Sequence, residues 1–299
     1  MRYPDFYIVG APKCGTTSLA KYLNGTSSVC VAHTPEPLYF CGEIPETIRQ
    51  DTNEYLSNFR GASVSSLLGD KSTFYLYSTV ACRQIREARP DAKIVIMLRP
   101  PVDLIFSLHA QSCWNRYGET ELDLRKALAL EPQRARGESL PIDFRSPLWS
   151  VLYRRAASYV DDVERWLSAF GAQQTKILLL NDLHEDPKSV YEDVCHFLNV
   201  RPRHDITLAA QNERKHYRFP GLRQLLEQNH STLAAKLLKA ALPVSLRRAA
   251  VQGLIRWNQT PGDPPRTSGD ELKAELRSEF ASEVERLETL IDRDLSRWK

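Results

Sequence analysis

The chain has 299 residues, 42% of them hydrophobic and 26% charged. That composition supports a sizeable core, and no run approaches the roughly 20 apolar residues of a membrane-spanning helix. With 13 glycines and 18 prolines, collagen and low-complexity classes are excluded. Forty Lys and Arg against 37 Asp and Glu leave a net charge of +3, which suits an anionic ligand without demanding nucleic acid. The six cysteines, Cys14, Cys30, Cys41, Cys82, Cys113 and Cys195, form no CxxC pair. They read as buried free thiols in a reducing compartment and not as a zinc site. Met1 to Asp5 runs straight into a strand-like segment with no signal-peptide pattern, so the expectation is a cytoplasmic protein or a domain excised from something longer.

In chain order, Phe6–Val9 is a short apolar run closed by Gly10 and reads as a buried strand. Thr16–Leu23 reads as a helix with Leu19, Tyr22 and Leu23 on one face. Thr34–Tyr39 holds two prolines and reads as a loop, Ser66–Gly69 as a weak strand, and Val80–Ala88 as a helix stopped by Pro90. Lys93–Leu98 is a continuous apolar run, the pattern of a strand covered on both faces. Pro100 and Pro101 then open a helix over Val102–Trp114. Glu131–Pro147, rich in Pro, Arg, Gly and Ser, reads as a long substrate-facing loop. Leu148–Phe170 reads as helix, Lys176–Leu180 as strand and Pro187–Leu198 as helix. This alternation predicts an α/β fold with a parallel sheet flanked by helices.

The tail differs. Leu233–Trp257 reads as a helix carrying Lys236, Lys239, Arg247, Arg248 and Arg256. Gln259–Gly269 reads as a linker. Glu271–Trp298 repeats Leu272, Leu276, Phe280, Val284, Leu287, Ile291, Leu295 and Trp298 every three or four residues, a terminal helix packed on the core. The expectation is one domain over residues 1–299, with an α/β core over 1–200 and a mainly helical C-terminal extension.

The segment Gly10-Ala11-Pro12-Lys13-Cys14-Gly15-Thr16-Thr17-Ser18 carries the most chemistry. It follows a strand and opens a helix, where backbone N–H groups and the helix dipole make an anion site. Against the P-loop pattern G-x-x-x-x-G-K-[ST], Gly10, Gly15 and Thr17 fit, but Thr16 stands at the lysine position and the lysine is Lys13. P-loop phosphoryl transfer also wants an acidic residue after a buried strand, to hold magnesium. Here the strand Lys93–Leu98 ends in Arg99, which attracts a second phosphate, and Ser107 lies eight residues on. Two anion sites and no metal ligand point to a nucleotide with phosphates at two separate places.

On these residues the chain resembles the sulfotransferases that use 3'-phosphoadenosine 5'-phosphosulfate (PAPS) and release adenosine 3',5'-bisphosphate (PAP). It is most similar to the Golgi-type and bacterial branch that includes heparan sulfate O-sulfotransferases. Pro12–Ser18 resembles the 5'-phosphosulfate loop. Leu98–Asp103 with Ser107 resembles the 3'-phosphate motif. Pro35–Phe40 resembles the segment with the catalytic glutamate, and Asp70–Thr73 the lysine segment. Leu104 and Pro35 depart from the pattern, standing where an arginine and a lysine are common.

The resemblance implies Glu36 as general base toward an acceptor hydroxyl on a carbohydrate or natural product. His33 and His109 are the alternatives for that role. Lys13 is implied on the bridging oxygen, and Lys71 on the sulfuryl oxygens or on Glu36. Cys14, Gly15, Thr16, Thr17 and Ser18 are implied at the 5'-phosphate, and Arg99 with Ser107 at the 3'-phosphate. Arg214 and Lys215, in a basic run with aromatics, are candidates for a loop over the 3'-phosphate. Cys14, at a helix start beside Lys13, is expected to have a lowered thiol pKa. No metal and no nucleic-acid partner are expected. The rival readings are a P-loop small-molecule kinase and a catalytically silent nucleotide-binding module.

Overall fold

The computed structural model describes residues 2–44, 50–114, 118–141, 144, 146–205, 215–217, 259–261 and 269–299. Five parallel strands form the main sheet: β1 (Phe6–Gly10), β2 (Val29–Val31), β3 (Leu67–Lys71), β4 (Lys93–Leu98) and β5 (Thr175–Leu179), in the order β2-β3-β1-β4-β5. Every residue of β1, and all but the first of β4, is buried. Their unbroken apolar sequence follows from having helices on both faces. Helix α1 (Thr16–Asn24) follows β1, α2 (Thr52–Ser57) precedes β3, and α3 (Thr79–Ala88) leads into β4. Helix α4 (Pro101–Trp114) follows β4 directly, started by the proline pair.

The order of strands matters more than their number. The chain crosses from β3 on one side of β1 to β4 on the other. Such a reversal opens a crevice at the carboxyl ends of the strands, the usual ligand position in open α/β sheets. Three adjacent strand ends meet there: Gly10 of β1, Lys71 of β3 and, just past β4, Arg99.

Three sequence expectations are corrected. Glu131–Pro147 is not a loop throughout: after α5 (Leu124–Ala129), residues Glu131–Ala135 form α6. That turn forms because Arg134 is buried against Glu119, with Nη1 to Oε2 at 2.5 Å and Nη2 to Oε1 at 2.8 Å. Leu148–Phe170 is not one helix. It divides into a 3-10 turn (Leu148–Ser150), α7 (Tyr153–Ala157) and α8 (Val160–Phe170). No glycine or proline marks the break. It arises from tertiary contacts: Tyr159 OH donates to the Arg99 carbonyl at 2.5 Å, and Arg155 reaches across to Asp162 at 2.7 Å. The short β2 and α2 escaped the periodicity reading, and Leu180 opens α9 (Leu180–Glu185) in place of ending β5. Helix α10 (Pro187–Phe197) follows.

Helix α11 (Gly269–Ile291) buries the expected stripe Leu272, Leu276, Phe280, Val284 and Leu287. Arg125 forks onto Glu275 at 2.8 and 2.9 Å, Arg154 meets Glu279 at 2.8 Å, and Glu283 accepts from Val160 N at 3.0 Å. The last contact caps α8 from outside its own segment. The stripe ends in a 3-10 turn (Ser296–Trp298) whose Trp298 is buried.

The described chain falls into two units, residues 1–211 with 272–299 and residues 212–271. In the second, β6 (Lys215–Tyr217) pairs antiparallel with β7 (Gln259–Pro261), so part of the expected linker is strand. The expected helix Leu233–Trp257 lies outside the described residues.

Candidate active site

The site begins with a backbone constraint. Gly10 has φ of +148°, and a Cβ there would lie 2.6 Å from the Thr73 carbonyl oxygen. Gly15 has φ of +81°, and a Cβ there would lie 2.9 Å from the Leu180 and Leu183 side chains. Only glycine meets both demands, so the turn between β1 and α1 closes tightly. Gly15 is the N-cap of α1, and the first turn of α1 carries no acidic side chain. The positive end of the helix is therefore left for an external anion. Thr16 and Ser18 are buried and Thr17 is exposed at this end.

Lys13 stands inside the turn with φ of +65°. Its Nζ donates to Gln111 Oε1 at 2.5 Å, and its carbonyl oxygen accepts from Arg99 Nη1 at 2.9 Å. Arg99 is 8% exposed and its Nη2 lies 3.8 Å from Asp103. Among the described residues, its buried Nε has no hydrogen-bond partner. A guanidinium with an unsatisfied buried donor, beside a helix start, fits a phosphate oxygen. Ser107 is half-buried on α4, and Asp103, Ser107 and Gln111 share one face at spacings of four. One face of α4 thus runs from the Arg99 contact to the Lys13 contact.

On the other side of β1, Lys71 Nζ donates to Glu36 Oε1. Glu36 Oε2 accepts from Thr73 N at 2.6 Å and from Thr73 Oγ1 at 3.1 Å. Lys71 is 8% exposed and Glu36 32% at the side chain. The carboxylate is therefore oriented by three donors yet open on one side.

Several sequence-predicted residues fall outside this group. His109 is 7% exposed, its Nε2 contacts the Glu121 carbonyl at 2.9 Å, and burial lowers its pKa. It is a packed core imidazole, which corrects its place as an alternative base. His33 is exposed. The expectation for Cys14 is overturned. Its thiol is fully buried, donates to the Pro12 carbonyl at 3.4 Å, and has its pKa pushed up to about 12. Burial outweighs the opposing charges of Arg99 and Lys13. Arg214 lies outside the described residues; Lys215 begins β6, of which only the backbone is described. The sequence reading missed Gln111 and Thr73. Gln111 was within reach from its spacing of four after Ser107.

A family model, the sulfotransferase domain, matches residues 3–252, and the chain belongs to the sulfotransferase family. The bifunctional heparan sulfate N-deacetylase/N-sulfotransferase 4 of Mus musculus is 28% identical over 69% of this chain and 23% of its own length. The corresponding enzyme 3 of Homo sapiens is 27% identical over 70% of this chain and 24% of its own. The chain thus spans about a quarter of these curated relatives. A sulfotransferase from Alicyclobacillus acidocaldarius has a TM-score of 0.70 at 29% identity, covering 100% of this chain and 99% of its own. The sequence reading pointed to O-sulfotransferases of heparan sulfate; the matched relatives carry N-sulfotransferase in their names.

Proposed function

We propose that this chain transfers the sulfuryl group of PAPS to a hydroxyl of a carbohydrate acceptor, releasing PAP. One observation carries the reading. Three adjacent strand ends present an anion-binding turn with Lys13, the Lys71–Glu36 pair, and Arg99, whose buried Nε is unsatisfied among the described residues. The turn and Lys13 take the 5'-phosphosulfate, and Arg99 with Ser107 takes the 3'-phosphate. Glu36 accepts the acceptor's proton as its oxygen attacks sulfur. The bond from sulfur to the bridging oxygen breaks, and the charge left on the 5'-phosphate falls to Lys13 and the helix start. Lys71 holds Glu36 in line. The names of the curated relatives support a carbohydrate acceptor. Six cysteines without a disulfide support a reducing compartment such as the cytoplasm.

A kinase reading meets Arg99 where a magnesium-binding acid is needed. Thermal shift with PAP, AMP and ATP, each with and without magnesium, tests the donor. Stabilisation by PAP alone, unaffected by magnesium, is expected; preference for ATP with magnesium refutes the reading. Glu36→Gln should lower turnover by about 10²–10⁴-fold and keep PAP affinity, which also separates a catalyst from a silent binding module.

A further inference from the structure

Asp70 is a buried carboxylate that the chemistry above does not use. It is 0% exposed, and its three hydrogen-bond partners are neutral hydroxyls. Tyr55 OH and Tyr75 OH donate to Oδ2 at 2.8 and 3.1 Å, and Ser72 Oγ donates to Oδ1 at 2.8 Å. An isolated buried carboxylate is costly, so its surroundings call for a reason.

The three hydroxyl-bearing residues share a second task. Ser72 Oγ accepts from Leu38 N at 3.0 Å. Tyr75 OH accepts from Phe40 N at 3.2 Å. The Tyr55 ring stacks on Tyr39, 4.2 Å between centroids and 5° from parallel. Three consecutive residues, Leu38, Tyr39 and Phe40, are each held by a group that Asp70 anchors. Leu38 sits at φ of +52°, a left-handed conformation that a leucine adopts only under constraint. Two residues before it stands Glu36.

We propose that Asp70 is a positioning residue for Glu36: acting through Ser72, Tyr75 and Tyr55, it fixes the 38–40 backbone and so aims the carboxylate at Lys71 and the acceptor. The inference rests on the reading of Glu36 as base. Its charge completes the device, because an ionised carboxylate accepts from all three hydroxyls at once. A protonated one must itself donate, so one of the three bonds reverses and that hydroxyl loses its fixed donor direction.

Burial raises the Asp70 pKa to about 6, against the lowering pull of Ser72, Tyr55 and Tyr75. Facing it are Tyr55 of α2, Tyr75 of the turn after β3, Tyr7 of β1, and Glu36, whose charge adds to the rise. Lys71 is its neighbour in β3. Two opposite pH trends follow. The folded state prefers the protonated acid, so the cost of the buried charge is relieved, and stability rises, as pH falls through about 6 toward the unfolded value of 3.8. Turnover falls over the same range as the arms loosen.

The test uses the full chain and hydrolysis of PAPS, with water as acceptor, followed by PAP release. Asp70→Asn, Ser72→Ala and Tyr75→Phe should each lower the rate, by between about tenfold and 100-fold for Asp70→Asn, while PAP affinity by calorimetry stays unchanged. Asp70→Asn should also lose the rise in stability as pH falls through about 6, and with it the part of the turnover decline centred there. If Asp70→Asn does not fold, Ser72→Ala and Tyr75→Phe carry the test. Wild-type rates in those two variants overturn the proposal, as does a fall in PAP affinity matching the fall in rate. Glu36→Gln is run beside them: full turnover there sinks the base reading itself, whatever the other variants do.

Discussion

Arg99, just past β4, donates through Nη1 to the carbonyl oxygen of Lys13, 2.9 Å away. The guanidinium proposed for one end of the donor thereby braces the turn proposed for the other end. Arg99→Lys keeps the charge but loses the planar fork, so one ammonium cannot serve both partners. The expected outcome is a loss of PAP affinity of about tenfold to 100-fold, the worth of a hydrogen bond to a charged group. AMP, which lacks the 3'-phosphate, should also bind more weakly because the brace is gone. Calorimetric titration with both nucleotides checks this, and an unchanged AMP affinity would show that the brace is idle.

Lys13 reaches Gln111 across the same crevice, Nζ to Oε1 at 2.5 Å. A neutral amide orients the ammonium without cancelling its charge. Gln111→Glu would set a carboxylate against the charge proposed to meet the departing phosphate. Turnover should fall on the order of tenfold, about 1.4 kcal/mol of barrier, with a smaller loss in Gln111→Ala. Steady-state kinetics of both variants decide the order; an unimpaired Gln111→Glu would refute it.

The parts of this fold that local chemistry dictates were legible in the sequence. β1 and β4 announced themselves as apolar runs, and α1, α3 and α4 by periodicity and proline. The turn at Gly10–Ser18 was legible because glycine spacing before a helix has few other uses. What escaped depends on distant partners. Glu131–Ala135 reads as loop until Arg134 is seen to have Glu119 as its partner. The break at Tyr159 exists for a contact with Arg99, sixty positions away in the chain. Asp70 entered the sequence reading only as part of the segment around Lys71, since nothing in its neighbours tells which hydroxyls will converge on it. Cys14 failed differently: the charges were read correctly and the burial that outweighs them was invisible.

The Cys14 thiol, raised to about 12 and wholly buried, should be protonated and inert at neutral pH. Iodoacetamide labelling followed by mass spectrometry should leave Cys14 unmodified in the folded protein and alkylate it in guanidinium. Saturating PAP should make no difference to the folded-state result. Rapid native-state alkylation would contradict the burial that sets the pKa.

The tie between Glu119 and Arg134 joins the segment after α4 to α6, and Tyr153 OH adds a third contact to Glu119 at 2.8 Å. Both side chains are at most 1% exposed. Burial alone would raise the Glu119 pKa, but the Arg134, Glu121 and Tyr153 hydrogen bonds and the Arg134 charge outweigh it and hold it below the usual value. Arg134→Ala strands the carboxylate in the interior and should cost about 3–5 kcal/mol. Removing both charges, as in Arg134→Met with Glu119→Leu, should cost far less, because no buried charge is left alone. The sign with pH follows from the depressed pKa. The pair's stability is present above the ordinary carboxylate pKa and is lost as pH falls through the lower folded value. Denaturant unfolding should therefore show the wild type and Arg134→Ala converging in acid, and a constant gap across that range would mean the ion pair is not what holds α6 in place.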